Sequence, residues 1–201
     1  MSLLEQIKKQ RTKLSHTETM VKTADGKIVC ENFVGNTFTA EQLTASHAGY
    51  VVDLKPDLQV AKITENLFLG SQDVALDQNL LFLNNITHVI SLGIPVTQFP
   101  NIGYTYVNVL DLPEFDIRSV FDEVFKVINE VVDKKGKVFV HCNAGVSRSA
   151  SVVIGYLMAT LRLGFDKAYE MVKAQRSCIR PNEGFVRQLK EYEKLINIEG
   201  E

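Results

Sequence analysis

The chain has 201 residues, of which 45% are hydrophobic and 23% are charged, and its formal net charge at pH 7 is −2. This length suits one domain, or one domain with an extension, and the small net charge gives no indication of nucleic-acid or bulk membrane binding. The sequence contains no run of roughly eighteen apolar residues, and its cysteines show neither a disulfide framework nor metal-ligand spacing. We therefore expect a reduced, cytoplasmic protein, with the nucleus as an alternative location.

Residues 1–55 differ in texture from the rest of the chain. The charged stretch at 5–14 predicts a short, exposed helix, and residues 17–50 are rich in Thr, Gly, Asn and Ala. Weak strand character is present only at 27–30. We predict that residues 1–55 form an N-terminal extension, loosely ordered or packed on the body of the protein, and that residues 56–198 form the main domain.

From residue 58 onward the pattern alternates between strands and helices. Gly136 and Gly164 stand where helix-ending glycines are expected. Continuous apolar strands between helices predict an α/β fold, in which a central, mainly parallel sheet is flanked by helices and the active site lies at the carboxyl ends of the strands. The predicted strands are 59–63, 67–69, 88–92, 104–110 and 138–141, and the predicted helices are 73–84, 119–134, 148–161, 165–175 and 183–196.

One short stretch carries the residues of a reactive site. The strand predicted at 138–141 ends in His141 and Cys142, residues 143–147 form a short loop, and Arg148 opens a long helical pattern. Successive backbone N–H groups in such a loop bind oxyanions, and the positive end of the helix dipole adds to their field. Both features are expected to lower the pKa of the Cys142 thiol, while the planar guanidinium of Arg148 matches two oxygens of a phosphate. This combination is typical of phosphate-ester chemistry through a cysteine thiolate.

The string HCNAGVSRS at 141–149 resembles the signature of the cysteine-dependent protein tyrosine phosphatase superfamily. The surrounding chain, from about residue 58 to residue 195, is similar to its dual-specificity branch through ITENLFLGS at 63–71, VLDLPE at 109–114 and RPN at 180–182. Details at 57–60 and 69–73 are similar to small, atypical members that regulate stress-activated protein kinase pathways. The resemblance implies a protein tyrosine phosphatase-like fold over 56–198 and metal-independent hydrolysis of phosphotyrosine and phosphoserine or phosphothreonine in proteins, through a cysteinyl-phosphate and without a cofactor.

The central chemical roles fall on three side chains. Cys142 is the expected nucleophile, and Arg148 is expected to bind the phosphoryl oxygens and stabilise the transition state. The leaving group needs an acid, and we favour Asp111, because it follows the strand predicted at 104–110 and occupies the loop that carries the acid in the family. Asp116 is more simply the N-cap of the next helix, and Glu114 is a weaker candidate.

The resemblance assigns supporting roles to further residues. Ser149 would assist departure of the thiolate, although a serine at a helix start also satisfies local amides. His141 would orient the loop and keep the thiol acidic. Asn182 would brace the phosphate loop, which is the loop at 143–147. Its alternative role as N-cap of the helix from residue 183 is equally well supported. The expected substrate-binding loop consists of Asn143, Ala144, Gly145, Val146 and Ser147.

The sequence also bears on the substrate. The loop residues at 143–147 are uncharged, which disfavours multiply phosphorylated lipids, and no tyrosine-rich recognition loop that would deepen the cleft is present. The resemblance implies phosphoprotein substrates, with mitogen-activated kinases or their upstream kinases as candidate partners. One alternative is a phosphoprotein-binding scaffold with incidental activity. Another, a sulfurtransferase-like or arsenate-reductase-like protein, would not explain Asp111 or the Arg148–Ser149 pair.

Two questions stay open at the level of the sequence. Cys178 could trap an oxidised Cys142 as a disulfide, but no sequence feature brings the two cysteines together. The oligomeric state is not indicated by any pattern in the chain.

Overall fold

The computed structural model describes residues 56–196, together with the backbone of three strands nearer the N-terminus at 19–22, 28–34 and 37–43. The chain divides into two compact units, residues 1–55 and residues 56–201. Each unit has its own sheet.

The described part of the first unit is an antiparallel sheet in the order β1-β2-β3, built from β1 Thr19–Lys22, β2 Ile28–Val34 and β3 Thr37–Leu43. We expected strand character only at 27–30, so the extent of this sheet is a correction. The Thr residues that we interpreted as a loop signal are β-branched and favour strands. The helix expected at 5–14 lies outside the described residues.

The second unit is built around a five-stranded sheet in the order β4-β5-β8-β6-β7. Its edge strand β4 runs antiparallel to β5, and all the other neighbouring strands run parallel. The α/β fold with a mainly parallel sheet is therefore confirmed. The strands are β4 Ala61–Lys62, β5 Leu67–Gly70, β6 His88–Leu92, β7 Gly103–Val107 and β8 Val138–His141.

Helices cover both faces of this sheet. They are α1 Gln72–Ala75, α2 Gln78–Leu83, α3 Phe121–Asp133, α4 Arg148–Leu161, α5 Phe165–Gln175 and α6 Glu183–Leu195, with a 3₁₀ turn at Ile117–Val120. Because side chains alternate along a strand, Phe139 of β8 packs with α1 and α2, while Val138 and Val140 pack in the larger core with α3 to α6. No helix in the described part of the chain is long and apolar enough to cross a lipid bilayer.

Four local expectations were wrong. The strand predicted at 59–63 is limited to Ala61–Lys62. The helix predicted at 73–84 is broken, because Asp77 accepts hydrogen bonds from the Asn79 and Leu80 N–H groups and starts a new helix. The strand predicted at 104–110 ends at Val107. Gly164 precedes α5 as its N-cap. Helix α4 already ends at Leu161, and the following residue, Arg162, with a φ of 54°, provides the left-handed turn.

Candidate active site

Cys142 directly follows the central strand β8 and is followed by the loop 143–147 and the helix α4. The residues of β8 are all buried, and Cys142 itself is only 2% exposed. Helix α4 begins at Arg148, so its unpaired N–H groups and the positive end of its dipole adjoin the loop. The Cys142 Sγ lies 3.2 Å from the Oγ of Ser149, in the first turn of that helix.

The carbonyl groups of this loop are held on its outer side. Four consecutive carbonyls accept hydrogen bonds from donors elsewhere in the fold, whereas none of the N–H groups of residues 143–147 donates to a protein acceptor within the described residues. The amides are therefore left for an anion in the concave side of the loop. The bonds are Gln72 N–H to Asn143 O (2.8 Å), Arg176 to Ala144 O and to Gly145 O (2.8 Å each), and Arg180 N–H to Val146 O (2.8 Å).

Gly145 is the position where this loop tolerates no side chain. Its φ is 65°, in the left-handed region, and a Cβ atom there would overlap the backbone carbonyl of Gly70 at the end of β5. Two independent constraints, backbone conformation and close approach, thus both require glycine.

Arg148 presents an unused donor to the loop. Its Nη1 donates to the Leu92 carbonyl at 3.1 Å, which fixes the guanidinium against the end of β6. Its Nε is buried and, among the described residues, has no hydrogen-bond partner. A buried donor that makes no hydrogen bond is costly unless a ligand satisfies it, so the geometry suits an anion above Cys142.

Asp111 is the carboxylate that the structure brings to the loop. Its Oδ1 accepts from the Ser147 hydroxyl at 2.7 Å and from the Asn182 amide at 2.9 Å, and its Oδ2 lies 3.5 Å from the Arg148 Nε. Asp116 instead caps the 3₁₀ turn by accepting from the Arg118 N–H, as its alternative role predicted. Glu114 is exposed.

The side chain of Asn182 caps α6 and also contacts Asp111. Its Oδ1 accepts from the Phe185 N–H at 2.9 Å and so caps α6, while its Nδ2 donates to Asp111. Its backbone N–H also donates to the Ser147 hydroxyl at 3.2 Å.

A family model described as the dual specificity phosphatase catalytic domain matches residues 67–195. The chain belongs to this family. The resemblance to a small, atypical dual-specificity phosphatase is thereby confirmed, and with it a cysteine-dependent protein phosphatase whose family works through a cysteinyl-phosphate.

Comparisons with known proteins agree with this assignment. Dual specificity protein phosphatase 19 of Mus musculus is 41% identical over 180 residues, which are 87% of this chain and 82% of the relative. MAP kinase phosphatase with leucine-rich repeats protein 1 of Dictyostelium discoideum is 37% identical over 143 residues, or 71% of this chain and 16% of the relative. The crystal structure of human tyrosine phosphatase-like serine/threonine/tyrosine-interacting protein matches with a TM-score of 0.65 at 34% identity, covering 68% of this chain and 97% of that chain.

His141 in this phosphatase is a neutral imidazole. Burial lowers its pKa to about 4, and the nearby Arg148 charge acts in the same direction, against the hydrogen bond to the Cys142 carbonyl. Its Nδ1 donates to that carbonyl at 3.0 Å, so its Nε2 accepts from the Ser91 hydroxyl at 2.7 Å. An orienting role fits these contacts, whereas a positive charge on His141 that would favour the thiolate does not.

Arg176 is one of the supporting residues of the phosphatase that sequence reasoning missed. Its side chain is fully buried, and besides the two loop carbonyls it contacts the Asp57 carboxylate and Gln59. A signal was present, since Arg176 continues the apolar stripe of α5 formed by Phe165, Ala168 and Val172. A charged residue at such a position indicates a buried partner.

Cys142 and Cys178 are both unpaired, the first buried and the second exposed. A redox link between them stays a hypothesis. In the described ranges, no group of three or more His, Cys, Asp and Glu side chains is arranged to hold a metal ion.

Proposed function

We propose that this phosphatase hydrolyses phosphotyrosine and phosphoserine or phosphothreonine in proteins of kinase signalling pathways, with Cys142 as nucleophile and Asp111 as general acid and base. The observation that carries the proposal is the arrangement around Cys142. Within the described residues, the loop amides have no protein acceptor, and the Nε of Arg148 makes no hydrogen bond. These donors match the charge that a phosphoryl group carries during transfer.

In the first step, Cys142 Sγ would attack phosphorus while the bond from phosphorus to the substrate oxygen breaks. Asp111 would give its proton to that leaving oxygen, and Arg148 with the loop amides would hold the three remaining oxygens. In the second step, water would attack the cysteinyl-phosphate and lose a proton to Asp111. The thiolate would then leave, and the Ser149 hydroxyl, 3.2 Å from Sγ, is placed to donate to it.

The pathway part of the proposal rests on the relatives. One relative bears the name MAP kinase phosphatase, and the uncharged loop disfavours multiply phosphorylated lipids as substrates. A second candidate function, phosphoprotein binding without required turnover, is favoured by the structural match to a protein named for its interaction with serine, threonine and tyrosine.

The deciding experiment is phosphate release from a doubly phosphorylated kinase activation-loop peptide, with a chelator present and the two phosphoresidues resolved by mass. We expect both phosphates to be removed. Cys142→Ser is expected to abolish turnover while retaining peptide binding, because the loop and Arg148 remain intact. Arg148→Lys should also lose most activity, since an ammonium cannot bind two oxygens as a guanidinium does.

The other outcomes are equally informative. Release from phosphotyrosine alone would contradict dual specificity. Tight peptide binding by the wild-type protein without release would support the scaffold function. Residual turnover by Cys142→Ser near the wild-type rate would contradict the assigned nucleophile.

A further inference from the structure

We infer that Ser147 and Asn182 are positioning residues for the general acid, holding one oxygen of Asp111 so that proton transfer runs through the other. The inference rests on the proposed role of Asp111 as the acid. It concerns which atoms fix that acid over the loop and which of its oxygens carries the proton.

The two oxygens of Asp111 have different surroundings. Oδ1 receives two hydrogen bonds, from the Ser147 hydroxyl at 2.7 Å and from the Asn182 Nδ2 at 2.9 Å. Oδ2 receives none within the described residues and lies 3.5 Å from the buried Nε of Arg148. The side chain of Asp111 is 36% exposed, and a terminal carboxyl torsion is broad, so without these bonds the group would not be held in one orientation.

The side chain of Ser147 does not cap its own helix. It stands at the N-cap of α4, where a serine normally accepts a hydrogen bond from its own helix, yet its side chain makes no such bond. A hydroxyl has one proton to donate, and Ser147 donates it to Asp111. Because Ser147 is buried and directly precedes Arg148, it ties the acid to the residue that binds the phosphate.

Asn182 contributes from a different element. Its Oδ1 is used by the N-cap of α6, which leaves the Nδ2 donor for Asp111, and its backbone N–H donates to Ser147. The three residues therefore form a closed set of hydrogen bonds. It connects the loop that carries Asp111, the loop 143–147 that follows Cys142, and the start of α6. Each of these three hydrogen bonds helps to hold the partners of the other two in place.

The consequence concerns the path of the proton. With both donors on Oδ1, the acidic proton belongs on Oδ2, which is the oxygen beside Arg148 and next to the expected phosphoryl position. Loss of either donor would let the carboxyl rotate and would impair proton donation without removing the acid. The defect should grow with the need of the leaving group for a proton.

The test measures kcat/KM, which reports the step in which the leaving group departs, in the full chain for a series of aryl phosphates, from nitrophenyl to unsubstituted phenyl. We expect Ser147→Ala and Asn182→Ser to slow the phenyl ester about tenfold, as loss of one hydrogen bond to a charged group predicts, and the nitrophenyl ester less than about twofold. Asn182→Ser keeps an oxygen for capping α6 while removing the donor to Asp111. In an Asp111→Asn background, Ser147→Ala should add no further leaving-group dependence.

Two further variants separate positioning from folding. Ser147→Thr retains a hydroxyl and should restore most of the phenyl ester rate. Ser151→Ala removes another buried hydroxyl of α4, which donates to the Ser147 carbonyl and does not contact Asp111, and it should leave the leaving-group dependence unchanged. Thermal melting of every variant identifies any that fails to fold.

The outcomes distinguish this inference from the proposed function. If Asp111→Asn slows all leaving groups equally, the assignment of the acid fails. If Asp111→Asn discriminates between leaving groups but Ser147→Ala and Asn182→Ser do not, the positioning role is overturned while the proposed function stands.

Discussion

His141 is a fully buried, neutral imidazole beside the expected nucleophile, and its titration belongs to folding rather than to catalysis. Its ordinary pKa is 6.5 and its pKa in the folded protein is lowered to about 4. As the pH falls through this interval, the unfolded chain binds a proton that the folded chain does not. The free energy of unfolding must therefore decrease as the pH falls from 6.5 to 4, and the loss from this group is complete below that range.

Urea unfolding at pH 7.5 and pH 5.0 checks this prediction. We expect the wild-type protein to lose about 2 kcal/mol more across this interval than His141→Asn, because asparagine does not titrate. His141→Asn is expected to be less stable than the wild type at pH 7.5, since the contacts with Ser91 and the Cys142 carbonyl change. Equal pH dependence in the two proteins would contradict the prediction, because it would mean that His141 has the same pKa in the folded and the unfolded chain.

At the scale of single residues, the sequence was most informative about site residues that are close together in the chain. Cys142, Arg148 and the loop between them are adjacent in the chain, so their joint placement follows from one strand, one turn and one helix. The expectation for Asp111 used the rule that parallel strands end at one edge, together with the resemblance, which places the acid of the family in this loop. Ser91 was missed because it meets His141 only after the sheet has formed. For Arg176, the apolar stripe of α5 indicated a buried partner, but the identity of that partner follows only from the packing of α5.

At the scale of elements, helical periodicity placed the long helices well, and errors arose where a polar residue interrupts a pattern. Helix α5 has the predicted bounds, since its apolar stripe and its flanking residues agree. The helix predicted at 73–84 failed because Asp77 sits inside an otherwise continuous pattern, and an aspartate there can either face solvent or start a new helix. Tertiary packing decides between the two, and the local sequence does not contain that information.

The phosphate loop depends on an element distant in sequence, the end of α5, where Arg176 holds two of its carbonyls. We expect Arg176→Lys to lower stability by about 2–3 kcal/mol and to raise the inhibition constant of inorganic phosphate about tenfold, because one ammonium cannot replace the forked donor. Melting temperature and phosphate inhibition are the measurements. Arg180→Lys is the matched control, since Arg180 reaches the loop through its backbone N–H.

A result for Arg176→Lys equal to that for Arg180→Lys would contradict the prediction. It would mean that the amides of the loop keep their orientation without the guanidinium. The bonds from Gln72 and from the Arg180 backbone would then be sufficient to hold it.

At the scale of the whole molecule, the catalytic unit begins earlier than the family match does. The match starts at residue 67, yet the buried guanidinium of Arg176 has its carboxylate partner at Asp57 and a further partner at Gln59. Although burial alone would raise it, hydrogen bonds from Arg176 and the Gln59 N–H hold the pKa of Asp57 below its usual value. The Asp57 segment is also fixed by the Ser71 hydroxyl, which donates to the Asp57 carbonyl at 2.6 Å. The residues just before β4 are thus part of the support of the phosphate loop.

Two truncated chains test this boundary. A chain that starts at Pro56 keeps Asp57 and every residue of the proposed site, so its hydrolysis of an aryl phosphate should stay within about twofold of the full chain. A chain that starts at Val60 leaves the Arg176 charge buried without its carboxylate, and it should lose about 3 kcal/mol of stability and bind phosphate more weakly. Melting temperature and phosphate inhibition distinguish the two truncated chains. Arg176→Lys in the full chain is the reference for a loop that has lost the support of the guanidinium. If the two truncated chains behave alike, the Asp57–Arg176 pair does not support the loop, and the functional boundary lies closer to the family match at residue 67.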